Sequence, residues 1–592
     1  VSPPAAADLP PALAAAAATV RAEAERAIAH EFDLLGSGPT SLGPQIDWHR
    51  DFKSGVAWPR AFYQDIKPVS FEDSGDPKVA WELSRGHQLL ALGRAAALFG
   101  DHRYLDQFAS QIGSWIEANP PGIGVNWVNP MEVALRATNW AWALSAIGDT
   151  GRLDANLAGE AVRSLQVHGR HIAANLEGTP QLRSNHFLSD VLGLLVLGAV
   201  LVGDPAAKRW ERRARRAFER EIHRQVLSDG VGFEASLGYH GLALEIFLIA
   251  WWVCSVRGRP LSAAYEQQLR RMLAVSLAVR QPDGRIPAFG DADDGRVLPA
   301  GPACGLGHDH LLWAGAGLLA TPRPKEGLPD AEVAWNFGLD AWSAAGSAPA
   351  APPPRSAAFS AGGIYVLAGG GTHVVMRCGD VGQNGNGGHA HNDLLSYELW
   401  RGRVVVVDPG TYVYTADPRA RDEFRSTAAH NTVNVDGSEQ NPIPPGQLFR
   451  LPQVATPRVS RWRDSDDRTI LIAGHDGYRR LGSRIDHERR FDLDRVSGEL
   501  RVVDELSGSG EASAECRIHL ASGIDPHLQG NRAELCPGGG AIQFDGEEMS
   551  VSLEEGWVSP SYGVRLRAPV LVARLSGRLP LVLSHTFKPN AR

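Results

Sequence analysis

Residues 344–363 read AAGSAPAAPPPRSAAFSAGG, a run of Pro, Ala, Ser and Gly with the composition of an interdomain linker. We set the linker at 346–362. On its N-terminal side apolar residues recur at helical spacing, as in LSRGHQLLALGRAAALFG (83–100), MEVALRATNWAWALSAIG (131–148) and FLSDVLGLLVLGAVLVG (187–203). Gly-Asp pairs stop these helices at LFGDHRY and LVGDPAA, which predicts a series of helix hairpins. No strict sequence repeat accompanies them, and stacked hairpins of similar length predict a toroid of antiparallel helices over 1–345. On the C-terminal side the runs shorten and become β-branched, as in GGIYVLAGG, THVVMRCGD, RGRVVVVDPGTYVY, RTILIAGHDG and GELRVVDELSG, each closed by turn residues. These predict an antiparallel β-sandwich over 363–592. The fold class is multidomain α and β, an (α/α) toroid followed by the sandwich.

A chain of 592 residues with 43% hydrophobic and 21% charged residues is a globular protein of more than one domain. Its formal net charge of -8 gives no general attraction for a polyanion, so nucleic acid is excluded as a partner and an acidic ligand needs a local cleft. Five cysteines without a CxxC pair suggest neither a disulfide framework nor a cysteine zinc site. The apolar stretches 190–203 and 241–256 are too short, or broken by Glu245, to predict a membrane span. The opening VSPPAAADLPPALAAAAATVRAEAERA lacks a Met and a basic leader and fits a mature exported form, periplasmic or secreted. Thirteen of the sixteen tryptophans precede the linker, as core rings or as sugar-stacking platforms.

Polar residues concentrate in a few segments. In NGNGGHAHNDLLSYELW (384–400), His389 and His391 stand two apart at the start of a predicted strand and would share a face. Asp408 ends an apolar run, and His430 opens another strand in FRSTAAHNTVNVDG. With His391 they form a two-histidine, one-carboxylate set suited to zinc, although their separations are long and a strand-ending Asp and a capping His are the simpler reading. QLRSNHFLSD sets Asn185 and His186 at a helix entrance, and DGVGFEASLGYHGLALE sets Glu234, Tyr239 and His240 at the next. An amide can hold a carboxylate and a phenol can move a proton, whereas a helix cap and a core ring are the simpler alternatives. GDADDGR adds Asp291, Asp293 and Asp294, readable as glycosidase carboxylates, a solvated turn or a calcium site.

In order, SNHFLSD, FEASLGYH, GGHAHNDLLSYEL, VVVDPGTYVY and AHNTVNVDG resemble the heparinase II/III family of polysaccharide lyases. WHRDFKSGVAWP, WELSRGHQLLALG and VNWVNPMEVALRATNW extend the resemblance over most of residues 45–445. It implies that Asn185 neutralises a substrate carboxylate, that Tyr239 and His389 are catalytic, and that His186 assists. It also implies that His391, Asp408 and His430 bind a metal, with Zn2+ in a structural role preferred to Ca2+. Asn126, Trp127, Glu132, Arg136, Arg183 and His240 are expected to contact substrate. The activity implied is β-elimination on a uronic-acid polysaccharide, either a glycosaminoglycan or a bacterial exopolysaccharide, with Tyr239 as phenolate taking the C5 proton and Tyr239 or His389 protonating O4; which of the two is the base depends on the sugar's stereochemistry and stays open. Few basic residues fall in the expected cleft, which points away from highly sulfated heparin. Two other readings stay open: a glycoside hydrolase using Asp291, Asp293 or Glu234, and a glycan-binding protein without catalysis.

Overall fold

The computed structural model describes residues 9–589 except 71, 149–153, 180 and 302–304. Helices that are apolar on every face must be enclosed by other helices, and those that are apolar on one face form the enclosure. Asn185–Val200 and Leu237–Val256 are of the first kind and His102–Ala118 and Pro205–Gln225 of the second. Accordingly two rings form. The inner ring runs Pro11–Ile28, His87–Phe99, Pro130–Gly148, Asn185–Val200, Leu237–Val256 and Asp309–Leu319, each packed on the next. His102–Ala118, Ala155–Ala174, Pro205–Gln225 and Ala263–Val279 form the outer ring, each packed against an inner helix next to it in sequence. Leu237–Val256 is long and apolar enough to cross a bilayer, but 83% of its apolar window is buried in the toroid. Its Glu245 accepts hydrogen bonds from the backbone N–H of Val297 and Leu298, at 3.1 and 3.0 Å.

The last helix before the linker ends at Ser347 and the first strand after it begins at Ala357. Beyond lie antiparallel sheets of five, eight and four strands. Their inward faces share one core, built from residues such as Val374, Leu399, Phe491, Val502, Leu571 and Phe587. Alternation is clear in Ile485–Asp494 and Leu500–Ser507, where every second residue is buried.

The five-stranded sheet rests on the toroid through a separate apolar cluster that joins Val231, Val275 and Phe289 to Ile364, Val366 and Val375. Polar bonds complete this interface. Glu398, on a strand, accepts from Gln281 Nε2 at 2.8 Å and from Ala288 N at 3.0 Å, both in the helical half. Asp76 accepts from Thr415 and Tyr562 of the β half at 3.0 and 2.7 Å. Gly290 adopts φ +70 where the two halves touch, and a Cβ there would meet Ala235 O at 2.5 Å and His389 O at 2.7 Å. Only glycine allows that approach.

Candidate active site

Four helices begin at the same end of the toroid, facing the β domain. Lys78, Glu132, Asn185 with His186, and Tyr239 all lie in the first turns of their helices and line one cavity of about 460 Å³. Its other wall comes from the β half, through Gln383, His389, Tyr414 and Phe449. Helix N-termini carry partial positive charge and free N–H groups, so this end of the toroid favours an anion.

Glu234 organises one side. It caps the helix of Asn185 by accepting from that residue's backbone N at 2.8 Å, and it accepts from Asn185 Nδ2 and Gln383 Nε2, each at 2.9 Å. The Asn185 Oδ1 is left buried without a partner. His389 Nε2 stands 3.5 Å from the same carboxylate, beyond a good hydrogen bond. The His389 ring stacks on Tyr239 with centroids 3.7 Å apart and planes 20° apart. Asn185, Tyr239 and His389, spread over two hundred residues of chain, thus meet in one cavity.

Asp291 organises the other side. Burial alone would raise its pKa, but the charge of Arg421 and hydrogen bonds from His389 and His391 outweigh that and hold the carboxyl well below the usual range. Arg421 grips both oxygens, the NH2 contact to Oδ2 being 2.7 Å. An ionised Asp291 can only accept, so His389 Nδ1, 3.0 Å away, donates to it and Nε2 is left on the side of the ring towards Glu234. His391 Nε2 bonds the other oxygen at 2.9 Å. The residues from His389 to His391 form a loop and not the expected strand, which begins at Tyr397. Their common direction comes from the shared carboxylate.

Tyr239 OH lies 3.1 Å from both Asp293 Oδ2 and Tyr414 OH. Burial and the negative charges of Asp293 and Asp291 push this phenol well above its ordinary pKa. The expected phenolate is therefore not the resting form: with carboxylates as neighbours the proton stays on. Asp293 would itself be raised by burial, but Lys78 at 2.7 Å and then Arg85 hold it ionised. Burial works against a charge on His186 as well, yet Glu177 at 2.9 Å lifts its pKa to about 9. The imidazole is 38% exposed, so water screens part of that attraction, and at neutral pH it is a cation at the cavity wall.

Two family models match the chain, heparinase II/III N-terminus over residues 8–298 and heparinase II/III-like, C-terminal over residues 351–581. The chain belongs to the heparinase II/III family. A heparin-sulfate lyase of Pedobacter heparinus is 24% identical over 576 residues, 93% of this chain and 77% of that one. One of Bacteroides stercoris is 22% identical over 585 residues, 92% and 77%. Among solved structures, heparinase III superposes with a TM-score of 0.70 at 15% identity, covering 97% of this chain and 85% of that one.

Within this heparinase II/III scaffold the residues expected to contact substrate separate. Glu132 lines the cavity but is locked to Arg85 by two bonds of 2.7 and 2.8 Å. Asn126 is buried, donating to Trp48 O at 2.8 Å and Asn119 Oδ1 at 2.9 Å. Trp127 is a core ring, and Arg136 donates to His168 at 2.9 Å with its guanidinium 4.1 Å over Trp115. His240 lies behind Tyr239, held by Gly232 N at 3.1 Å and Ser276 at 3.2 Å. These four do not line the cavity, because the helical turn that aims one neighbour into the cleft turns the next into the core. Arg183 faces a different groove. Of the tryptophans, Trp81 alone reaches the cavity among the described residues. Lys78, Arg85, Glu177, Gln383, Tyr414 and Arg421 were not singled out from sequence. Lys78, Arg85 and Tyr414 lie in or beside quoted motifs, whereas RARDEF around Arg421 gives no signal.

The ligand atoms of His391, Asp408 and His430 lie within 4.8 Å of one another. His391 Nδ1 and His430 Nε2 are buried without hydrogen-bond partners, and His430 Nδ1 bonds Asp408 at 2.8 Å. Two orphaned imidazole nitrogens beside a carboxylate suit a nitrogen-seeking cation, so the residues fit zinc better than calcium.

Proposed function

We propose that this chain cleaves a glycosaminoglycan by β-elimination at a uronate. Membership in the heparinase II/III family makes it a polysaccharide lyase, and relatives named heparin-sulfate lyase support a glycosaminoglycan substrate. The observation that carries the mechanism is the meeting of Asn185, Tyr239 and His389 in one cavity.

The substrate carboxylate binds at the helix entrance, against the Asn185 amide and the charged His186. Their hydrogen bonds strengthen as negative charge builds on the carboxylate during C5–H cleavage. His389 Nε2 takes the C5 proton, its ring held by Asp291 as a carboxylate holds an imidazole in a hydrolytic triad. The C–H electron pair forms the C4=C5 double bond, the C4–O4 pair leaves with O4, and Tyr239 gives O4 its phenolic proton. A resting phenol supports this division, in which the acid is already protonated. Zinc held by His391, Asp408 and His430 would cross-link the loops behind His389 through the His391–Asp291 bond. It would act structurally.

A hydrolase needs a carboxyl that keeps its proton near neutral pH. Asp291 and Asp293 are both held ionised by cations, and Glu234 is occupied by Asn185 and Gln383. The test is a panel of uronate polymers, heparan sulfate first, scanned for the ultraviolet absorbance of an unsaturated uronate. Reducing ends released without that absorbance would overturn elimination. Elemental analysis of the purified protein should give about one zinc per chain, lost in His430→Ala; zinc-free protein with full thermal stability would remove the metal.

A further inference from the structure

Helix Pro205–Gln225 carries seven arginines and one lysine against three glutamates, in a chain whose net charge is -8. Arg209, Arg212, Arg213, Arg216 and Arg220 follow the i, i+3, i+4 pattern of a single helix face, all exposed, and Ala214, Ala217 and Phe218 turn inward. With Arg183 they line a groove of about 420 Å³. Like charges gathered on one face repel and cost stability unless a counter-charge relieves them. The internal relief is small. Glu221 is buried and shared by Arg183, Arg220 and Arg224. Among the described residues Arg209, Arg212, Arg213 and Arg216 have no carboxylate partner, and Arg183 Nε is buried without a hydrogen bond while its guanidinium covers Phe187 at 4.4 Å.

The groove adjoins the catalytic cavity along one short segment. Leu182 and Ser184 line the cavity, and Arg183 between them lines the groove. From Arg209 to Arg220 the stripe runs about 16 Å along the helix axis, long enough for a short run of sugars. We infer that this arginine groove is a second binding site for an anionic glycan, which receives the part of a polymeric substrate that extends beyond the cleft past residues 182–184. Guanidinium forks suit sulfate and carboxylate groups, and exposed charges attract a polyanion from a distance at low salt. The inference rests on the lyase reading only for the identity of the anionic chain.

The test measures binding of size-fractionated heparan sulfate and of a heparan sulfate tetrasaccharide to chain carrying Tyr239→Phe, with and without Arg209→Ser, Arg213→Ser and Arg216→Ser. The triple change should weaken polymer binding about tenfold at low salt and flatten its salt dependence, with tetrasaccharide binding altered less than about twofold. Charge reversal by Arg213→Glu alone should act in the same direction and guards against a misfolded triple variant. Polymer binding within about twofold of the parent in both variants, or equal weakening for the tetrasaccharide, overturns the groove. Tighter binding of double-stranded DNA than of heparan sulfate would overturn the choice of a glycan. If no uronate polymer yields an absorbing product yet the variants lose heparan sulfate, the lyase reading fails and the groove stands.

Discussion

The cavity at the domain junction and the groove on the outer helix enclose similar volumes, about 460 and 420 Å³, and treat charge in opposite ways. In the cavity wall nearly every ion is matched, Lys78 with Asp293, Arg85 with Glu132 and His186 with Glu177, and behind it Arg421 is matched with Asp291. On the groove four arginines, Arg209, Arg212, Arg213 and Arg216, stand exposed without a carboxylate among the described residues. Matching fixes protonation states and positions, which chemistry requires. Unmatched exposed charge fixes nothing locally and acts at range, which capture requires. If the comparison holds, cavity substitutions should change turnover, folding or the binding of substrates of any length, and groove substitutions should change only affinity for long chains.

The largest expected effect is on turnover. Tyr239→Phe removes the proton that O4 needs and should lower kcat about 10³-fold with substrate affinity nearly unchanged; activity within tenfold of the parent would take Tyr239 out of the chemistry. Asn185→Ala should cost about 10²-fold in kcat, and normal turnover with a raised KM would recast it as a ground-state contact. Asp291→Asn strands the Arg421 cation in the interior, for which a loss of about 3–5 kcal/mol in stability is expected, read by chemical denaturation. The smallest effect concerns His186. Its pKa is raised, so the imidazolium is present below about pH 9 and lost above it. KM for the polymer should therefore climb as pH passes that value, and His186→Gln should raise KM about tenfold at pH 7 and remove the climb. A pH-independent KM in the parent would assign the carboxylate to Asn185 alone.

The division into toroid and sandwich was legible because each half repeats one hydrophobic period many times, and the proline-rich joint marks where the period changes. Asn185, Tyr239 and His389 could be named because the motifs that hold them resemble those of the heparinase II/III family; taken alone, a helix cap and a core ring were the simpler readings of the first two. What sequence could not give is direction. Trp127 and Arg136 occupy the same motif as Glu132, yet only Glu132 turns towards the cavity. Nor could sequence give the surroundings of the Tyr239 hydroxyl: burial and the nearby charges of Asp293 and Asp291 raise its pKa and oppose a phenolate. Arg421 was invisible for a related reason. Its role depends on a partner 130 residues away and on no local pattern.

Asp291 sits on a loop of the helical half, and the three side chains that it binds, His389, His391 and Arg421, all come from the β half. A gene cut at the proline-rich joint would therefore yield one product with the amide and the phenol and another with both imidazoles, each inert. Mixing the two products and watching for recovered turnover would measure how strongly that single carboxylate recruits its missing half.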